Sequence, residues 1–474
     1  MQRRTPLALL ALLAVVACTG PEITAVTQPM APPDTFAPTT TQTTQPGTTS
    51  PVDIDRASIY PVDPTTLEAT PGLDPIPVGD WFWGATSDNG RWLALYAGND
   101  TGVASDLRLI DVVDWETVST WDFVTDQPLY VTDDGAVYSF EGSSPNIKLS
   151  RRTAGHPDAE AVARLPDDFF SWYQIEVVQG NAAILGYRAV DGRSDGEASI
   201  VTVDLSSGTV TQIPLPGVDF GVIEEVDIAE IYPGVLDVTP AVVWDHQAFR
   251  ALVVHANQDV VTEVDLASKE VIDHHFGPEA SAWGELFAWL VPPARAAGGG
   301  YARTQRTAVL SADRSALYIA TMLGDITVDD TGWTSQNLPT GIITVDTATW
   351  QVVDRLDAPI SDIFLSPDGG RLLATGYGYT QTRASYEPQA TGYYVIDPTD
   401  LDVLARYDPG QPNAYHWGFS FSRDARLGYV ITSDIQTEID VIDLERGVIL
   451  NTRNGAEFQI FGEIGVLGEV QRGP

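Results

Sequence analysis

The chain of 474 residues carries 26 Lys and Arg against 65 Asp and Glu, giving a formal net charge of −39, and it has a single cysteine. The acidity argues against nucleic-acid binding, because phosphate recognition needs clustered basic side chains. One cysteine excludes an intramolecular disulfide framework, a cysteine-based zinc site and a c-type haem motif. Apolar residues make up 43% of the chain, enough for a large core, which excludes disorder for most of its length.

The N-terminus has the layout of a secretory signal. A basic start at Arg3-Arg4 is followed by the apolar run Thr5–Ala14. That run is shorter than the ~20 residues of a permanent membrane helix. Its end, with an aliphatic residue at −3, Ala17 at −1 and Cys18 at +1, resembles the bacterial lipobox. The resemblance implies that residues 1–17 are a lipoprotein signal peptide and that Cys18 receives diacylglycerol. We therefore expect a protein anchored by lipid to the extracytoplasmic face of the cell membrane.

Residues 18–55 are dominated by Thr, Pro, Gln, Ala and Gly, as in PTTTQTTQPGTTSP, and show no apolar periodicity. This composition predicts a disordered, partly extended tether. The folded domain is expected over residues 56–474. Because the domain is strongly acidic, it should be repelled by anionic lipid headgroups and stand clear of the membrane surface.

A short sequence pattern then recurs along the chain: an alternating apolar strand that ends in Asp, a few polar residues, and a second amphipathic strand. A carboxylate at that position can accept backbone N–H groups two residues on and so start a tight turn. The turn residues are Asp63, Asp111, Asp204, Asp265, Asp346, Asp397 and Asp443. Upstream of most copies lies a further hairpin around an Asp/Gly turn, as in FLSPDGGRLLATG (364–376).

Four short strands in each ~45 residues are typical of propeller blades. Ser366-Pro367-Asp368-Gly369 followed by RLLATG, and then YYVIDPTDLDV, resemble the YVTN and WD-type repeats of bacterial β-propellers over about residues 58–470. The resemblance implies an all-β propeller of four-stranded blades, eight by repeat count, with seven as the alternative. The hairpin around Asp63 and two strands in 457–470 are expected to complete one blade together and close the ring, which removes exposed sheet edges.

Strands of a blade are named A to D from the axis outward. The A–B and C–D turns of a propeller lie on one face, and the B–C and D–A connections on the other. Long segments are concentrated on the second face, and a rigid scaffold usually carries function on such loops. They are Ala97–Ser105, Ala189–Ala198, Val218–Val238, Gly277–Arg306, Met322–Thr340 and Tyr377–Thr391. One longer C–D connection, Arg151–Ala159, is the exception.

Aromatic residues of the loops on this face are the candidate ligand face. They are Trp283, Trp289, Trp333, Tyr377, Tyr379, Tyr386 and Trp417. Apolar residues at helical spacing predict a short helix over Ser281–Val291. Tyr377 and Tyr379, set among polar residues, are expected to form an exposed platform of the kind that suits a sugar or peptide.

Catalytic motifs are weak. Gly192–Gly196 matches G-x-S-x-G but lies in a polar loop between strands, without the strand-to-helix elbow that exposes the nucleophile. The six histidines include no pair with metal-ligand spacing, so neither metal nor cofactor is predicted. The sequence favours a non-catalytic binding module whose partner is an envelope protein or glycan. The alternative is an extracytoplasmic propeller enzyme of the lactonase, sugar-cleaving or quinone-dependent dehydrogenase type, because sites assembled from distant blades are invisible in one sequence.

Overall fold

The computed structural model describes residues 57–470, apart from residues 80, 99–103, 123–128, 143–145, 168, 172–174, 191–192, 227–233, 278–300, 330–331, 383–384, 409–414, 434–436, 456–457 and 462–465. The predicted signal peptide, Cys18 and the predicted tether therefore lie outside the described residues. Throughout the described part the regular secondary structure is β-strand. No helix in this part is long and apolar enough to cross a bilayer.

We group the strands into eight antiparallel sets: seven follow chain order, and the eighth joins strands from the two ends of the described chain. The chain begins with β1 (Ala57–Pro61) and β2 (Ile76–Gly79). Set I comprises β3 (Trp81–Thr86), β4 (Trp92–Gly98), β5 (Ala104–Asp111) and β6 (Glu116–Asp122). Set II comprises β7 (Leu129–Val131), β8 (Val137–Glu141), β9 (Lys148–Arg152) and β10 (Glu160–Arg164). Set III comprises β11 (Phe169–Phe170), β12 (Glu176–Val178), β13 (Asn181–Val190), β14 (Arg193–Asp204) and β15 (Val210–Asp219).

A separate hairpin, β16 (Gly221–Val226) and β17 (Gly234–Thr239), follows set III. Set IV comprises β18 (Ala241–Asp245), β19 (Arg250–Val254), β20 (Val260–Asp265) and β21 (Val271–His275). Set V comprises β22 (Tyr301–Leu310), β23 (Ala316–Asp329), β24 (Gly332–Asp346) and β25 (Gln351–Leu356). Set VI comprises β26 (Asp362–Leu365), β27 (Leu372–Thr382), β28 (Tyr386–Ile396) and β29 (Val403–Tyr407).

Set VII comprises β30 (Tyr415–Phe421), β31 (Leu427–Ser433), β32 (Thr437–Asp443) and β33 (Val448–Gly455), and the chain ends with β34 (Phe458–Phe461) and β35 (Val466–Val470). Set VIII joins the two ends of the chain in the order β34-β35-β1-β2. Repeated four-stranded antiparallel sheets in chain order are the architecture of a β-propeller. The expected all-β propeller fold therefore agrees with the strand pairing.

The C–D turns share one geometry. The carboxylate Oδ1 of each predicted turn Asp accepts one or both of the backbone N–H groups two and three residues on, at 2.7–3.2 Å. The residue four positions after each Asp has a positive φ; it is glycine twice and otherwise a residue such as Leu67 or Trp350. For a non-glycine residue this conformation costs about 1–2 kcal/mol. Hydrogen bonds to the carboxylate stabilise the turn, together with backbone hydrogen bonds such as that from Leu67 N–H to Asp63 O at 2.8 Å.

Apolar clusters lie between successive sets. Six of them join set I to II, II to III, III to IV, IV to V, V to VI and VI to VII. A seventh contains buried residues of sets VII, VIII and I together, including Tyr429, Ile59 and Leu95. The core is therefore distributed between neighbouring sheets, and it continues across the junction of the chain ends.

Candidate functional site

The B–C connections of sets V and VI are long β-hairpins. The pairing of β23 with β24 continues to Asp329 opposite Gly332, and that of β27 with β28 to Gln381 opposite Tyr386. The expectation of loops over Met322–Thr340 and Tyr377–Thr391 is therefore wrong. Ladder hydrogen bonds satisfy backbone groups that an irregular loop of this length would leave to water.

The two hairpins also pair with each other. Strand β24 runs antiparallel to β27, from Thr334 opposite Thr382 to Asn337 opposite Tyr379. This contact joins sets V and VI into one ten-stranded sheet, which also includes β16 and β17. We call the paired ends of β23, β24, β27 and β28 the hairpin sheet. It gives this face of the molecule a hydrogen-bonded surface.

One side of the hairpin sheet is buried. Ser335, Asn337 and Tyr379 are 0%, 2% and 8% exposed. On the opposite side, Leu323 and Leu338 are cross-strand partners and are 45% and 42% exposed. Because side chains alternate between the two faces of a strand, the register places this apolar pair on the solvent-facing side of the sheet. The result is a small apolar patch on an ordered sheet.

The predicted aromatic face is only partly assembled here. Trp333 lies in β24 opposite Val328, and Tyr386 begins β28. Trp417 lies in β30 of set VII. Trp283, Trp289 and the predicted helix Ser281–Val291 lie outside the described residues.

Tyr377 and Tyr379 do not form the expected exposed platform. Tyr379 belongs to the buried core and Tyr377 is half-buried. The register explains the burial of Tyr379, because its partner across the ladder, Asn337, lies on the side of the sheet that packs inward.

A buried charged group lies at the root of the hairpin sheet. Arg303 of β22 places Nε 3.4 Å from Oδ2 of Asp237 in β17 and Nη2 3.4 Å from Oγ1 of Thr239. Its backbone N–H donates to Asn337 Oδ1 at 3.1 Å. Gly324 of β23 passes so close that a Cβ there would lie 2.4 Å from the backbone nitrogen of Arg303. The hairpin sheet thus packs directly against the backbone of Arg303, and only glycine fits at position 324.

Asp362, the first residue of β26, completes what we call the root cluster: Asp237, Arg303 and Asp362. Ser361 Oγ donates to Asp362 Oδ2 at 2.8 Å. Burial raises the pKa of Asp362, and the Ser361 hydroxyl and the Arg303 guanidinium offset that effect only in part. Sequence patterns missed this cluster. The sequence signal that could have indicated it was a single charged residue within an otherwise apolar strand, as in GVLDVT and SDIFL.

Two further polar groups line the same end of the inner strands. Arg306 donates to Gln258 O and Asp259 Oδ1, each at 2.6 Å, which ties set V to set IV. His416 of β30 shares a 2.7 Å hydrogen bond with Thr432, and burial lowers its pKa to about 4, so the imidazole is neutral at physiological pH. Within the described residues, no group of three or more His, Cys, Asp or Glu side chains is arranged to hold a metal ion.

No family model matches the chain, and no curated protein matches it in sequence. Among solved structures, it is similar to dihydro-heme d1 dehydrogenase NirN in complex with DHE (TM-score 0.48, 11% identity, covering 85% of this chain and 73% of that one). It is also similar to Sqt1 of Chaetomium thermophilum bound to the N-terminus of ribosomal protein L10 (0.47, 12%, 82% and 95%). A third is BamB from Moraxella catarrhalis (0.45, 10%, 88% and 98%). At these scores and identities the similarities support no inference about activity or partner.

The opposite pKa shifts of two aspartates predict opposite pH dependences. Asp362 has a raised pKa, so its ionisation costs stability as pH rises above 3.8. Asp362→Asn should therefore gain stability relative to the parent protein between acidic and neutral pH. The pKa of Asp204 is lowered to about 2 by hydrogen bonds from Ser206 and Ser207, so its contribution is present above 3.8 and is lost as pH falls toward 2.

Asp204→Ala should accordingly be less stable at neutral pH, with a deficit that narrows in acid. Urea unfolding of both variants from acidic to neutral pH measures these slopes. A loss of stability in Asp362→Asn that grows with pH would show that the root cluster stabilises the ionised carboxylate instead.

Proposed function

We propose that the protein is a lipid-anchored, extracytoplasmic β-propeller of eight blades that binds an envelope protein or glycan on the face bearing the hairpin sheet. Eight strand sets support the blade count, and set VIII, made from both chain ends, supports a closed ring. The continuous series of apolar clusters supports the same closure.

The pairing of β24 with β27 is the observation that carries the binding role. It turns two connections into a single ordered surface, whereas the turns of the opposite face keep the short Asp-capped form. Function usually lies where a rigid scaffold holds variable segments. An apolar centre with polar surroundings, here Leu323 and Leu338 on β23 and β24 with exposed Glu387 and Gln389 on β28 of the same sheet, is the composition of a modest docking surface.

The enzymatic alternative draws on the root cluster, because a buried acid beside a guanidinium is also a feature of catalytic sites. In this chain Arg303 contacts Asp237 and Thr239, and the Arg303 backbone supports the hairpin sheet through Asn337. Those contacts join β17, β22 and β24. We therefore assign the root cluster the role of positioning the binding surface.

Anchoring rests on the N-terminal sequence. Cys18 follows a basic start, an apolar run and Ala17, the arrangement of a lipoprotein signal. A diacylglycerol group has two acyl chains, and each buried CH₂ contributes ~0.8 kcal/mol to membrane binding. A Thr/Pro-rich tether spans ~5–6 Å × √n where it is flexible and more where proline extends it. The propeller would thus stand clear of an acidic membrane surface.

Removing the apolar pair should weaken partner binding. Leu323→Ser with Leu338→Ser should lower affinity for isolated cell-envelope material about tenfold, because central apolar contacts carry most binding energy. Co-sedimentation with that material measures the effect. Val352→Ser with Val353→Ser, an exposed apolar pair on β25, is the matched control. Equal binding by both double variants would contradict the assignment of this face.

Replacing Cys18 tests the anchor. Cys18→Ser should leave the protein uncleaved or released into the medium, because no thioether to lipid can form. Partition into Triton X-114 and the mass of the processed chain measure this, with Thr19→Ser as a control that keeps the cysteine. A Cys18→Ser protein that remains in the detergent phase at the processed mass would refute lipid attachment at this residue.

A further inference from the structure

Strand β1 has its two ends on opposite faces of the molecule. It runs from Ala57 to Pro61 and leads into the turn that Asp63 caps. Residues Pro64 and Thr65 of that turn line one cleft together with turn residues of sets VI and VII, namely Asp368, Asp424 and Asp443. The end of β1 therefore lies on the face of the Asp-capped turns, and its beginning lies at the other end of set VIII.

The neighbouring strands place Ala57 on the face of the hairpin sheet. Ala57 is the register partner of Gly79, the last residue of β2. Strand β3 begins two residues later at Trp81, which pairs with Gly98 at the B–C end of β4. The B–C connections of sets V and VI form the hairpin sheet. The chain that precedes Ala57 therefore joins the fold on the same face as the hairpin sheet.

This preceding segment carries the predicted anchor. Thirty-eight residues separate Cys18 from Ala57, and a flexible chain of that length spans roughly 30–37 Å. To present the Asp-capped face to the membrane, the segment would first have to pass along the whole length of a set. A strand of seven residues such as β32 is itself about 23 Å long. Because that detour would use most of the span, the tether holds the hairpin sheet toward the membrane.

We propose, resting on the lipid anchor proposed above, that the hairpin sheet faces the membrane that holds Cys18 and binds a protein projecting from that same membrane. A partner on this membrane stays within reach of the tether, so anchoring raises its effective concentration at the sheet. The exposed pair Leu323 and Leu338 favours a protein over a glycan. Aliphatic side chains gain by burial against other apolar groups and offer no hydrogen bond to sugar hydroxyls.

Energy transfer from a dye on the protein to an acceptor on lipid headgroups tests the orientation. Gln389→Cys places the dye on the hairpin sheet, and Thr399→Cys places it in the C–D turn of the same set; both positions are exposed. They lie roughly 25 Å apart along β28. With Cys18 acylated and the full chain in vesicles, transfer should be more efficient from position 389 than from position 399. Thermal unfolding checks that both labelled chains are folded.

The outcomes separate the orientation from the anchor. Equal transfer from the two positions, or greater transfer from position 399, overturns the orientation while the anchor stands. No transfer from either position overturns the anchor and the orientation with it. In a Cys18→Ser background neither dye should transfer, and transfer that persists there would show that the tether does not set the orientation.

Proteolysis of the cell-envelope material tests the class of partner. The Cys18→Ser chain should co-sediment with untreated material and lose that binding once the material has been digested with protease and washed. Binding that survives digestion would indicate a glycan and overturn the protein assignment. No binding to the untreated material would instead overturn the binding role itself.

Discussion

The pairing of β1 with β35 is the contact on which the rest of the structure depends. Five consecutive residue pairs, from Ala57 opposite Val470 to Pro61 opposite Val466, place the first and last strands of the described chain side by side. Ile59 and Leu467 are fully buried there in the cluster shared by sets VII, VIII and I. Burying one such side chain contributes about 1.5–3 kcal/mol. Without this pairing, sets VII and I would each expose an apolar sheet face and β35 an unpaired edge.

The proposed closed ring also explains why the two faces differ. On one face the Asp-capped turns have little freedom, because a carboxylate, two backbone N–H groups and a residue with positive φ must coincide. The other face has no such constraint and carries the long hairpins. There the constraints are the register between β24 and β27 and the close packing of Gly324 against the Arg303 backbone. The long hairpins thus lie on the face that we assign to binding.

The local chemistry of this fold was predictable from the sequence. Alternating apolar strands and the Asp turns gave the strand order, because both depend on residues close in the chain. An eighth carboxylate, Asp245, accepts turn hydrogen bonds in the same way. It was missed because it lies in the β18–β19 turn, outside the recurring sequence pattern. Its hydrogen bonds nonetheless repeat the pattern of the other turns.

The site was much less predictable than the fold. Long polar segments with aromatic residues were interpreted as loops, since neither hairpin signals that it pairs with the other. The burial of Tyr379 follows from that pairing and from nothing in its own neighbourhood. Similarly, Asp237, Arg303 and Asp362 are separated by at least 59 residues in sequence, and only the meeting of β17, β22 and β26 brings their charges together.

A disulfide between the chain ends tests the closure most directly. Ser58 and Glu469 are register partners in β1 and β35, and directly opposed strand residues have Cα separations compatible with a disulfide. In a Cys18→Ser background, cysteines at both positions should form one intramolecular disulfide on mild oxidation and raise the unfolding midpoint. Cysteines at positions 58 and 160, in non-adjacent sets, should not. A failure of the 58–469 pair to link in the folded protein, or linkage that lowers the midpoint, would contradict a ring closed by these strands.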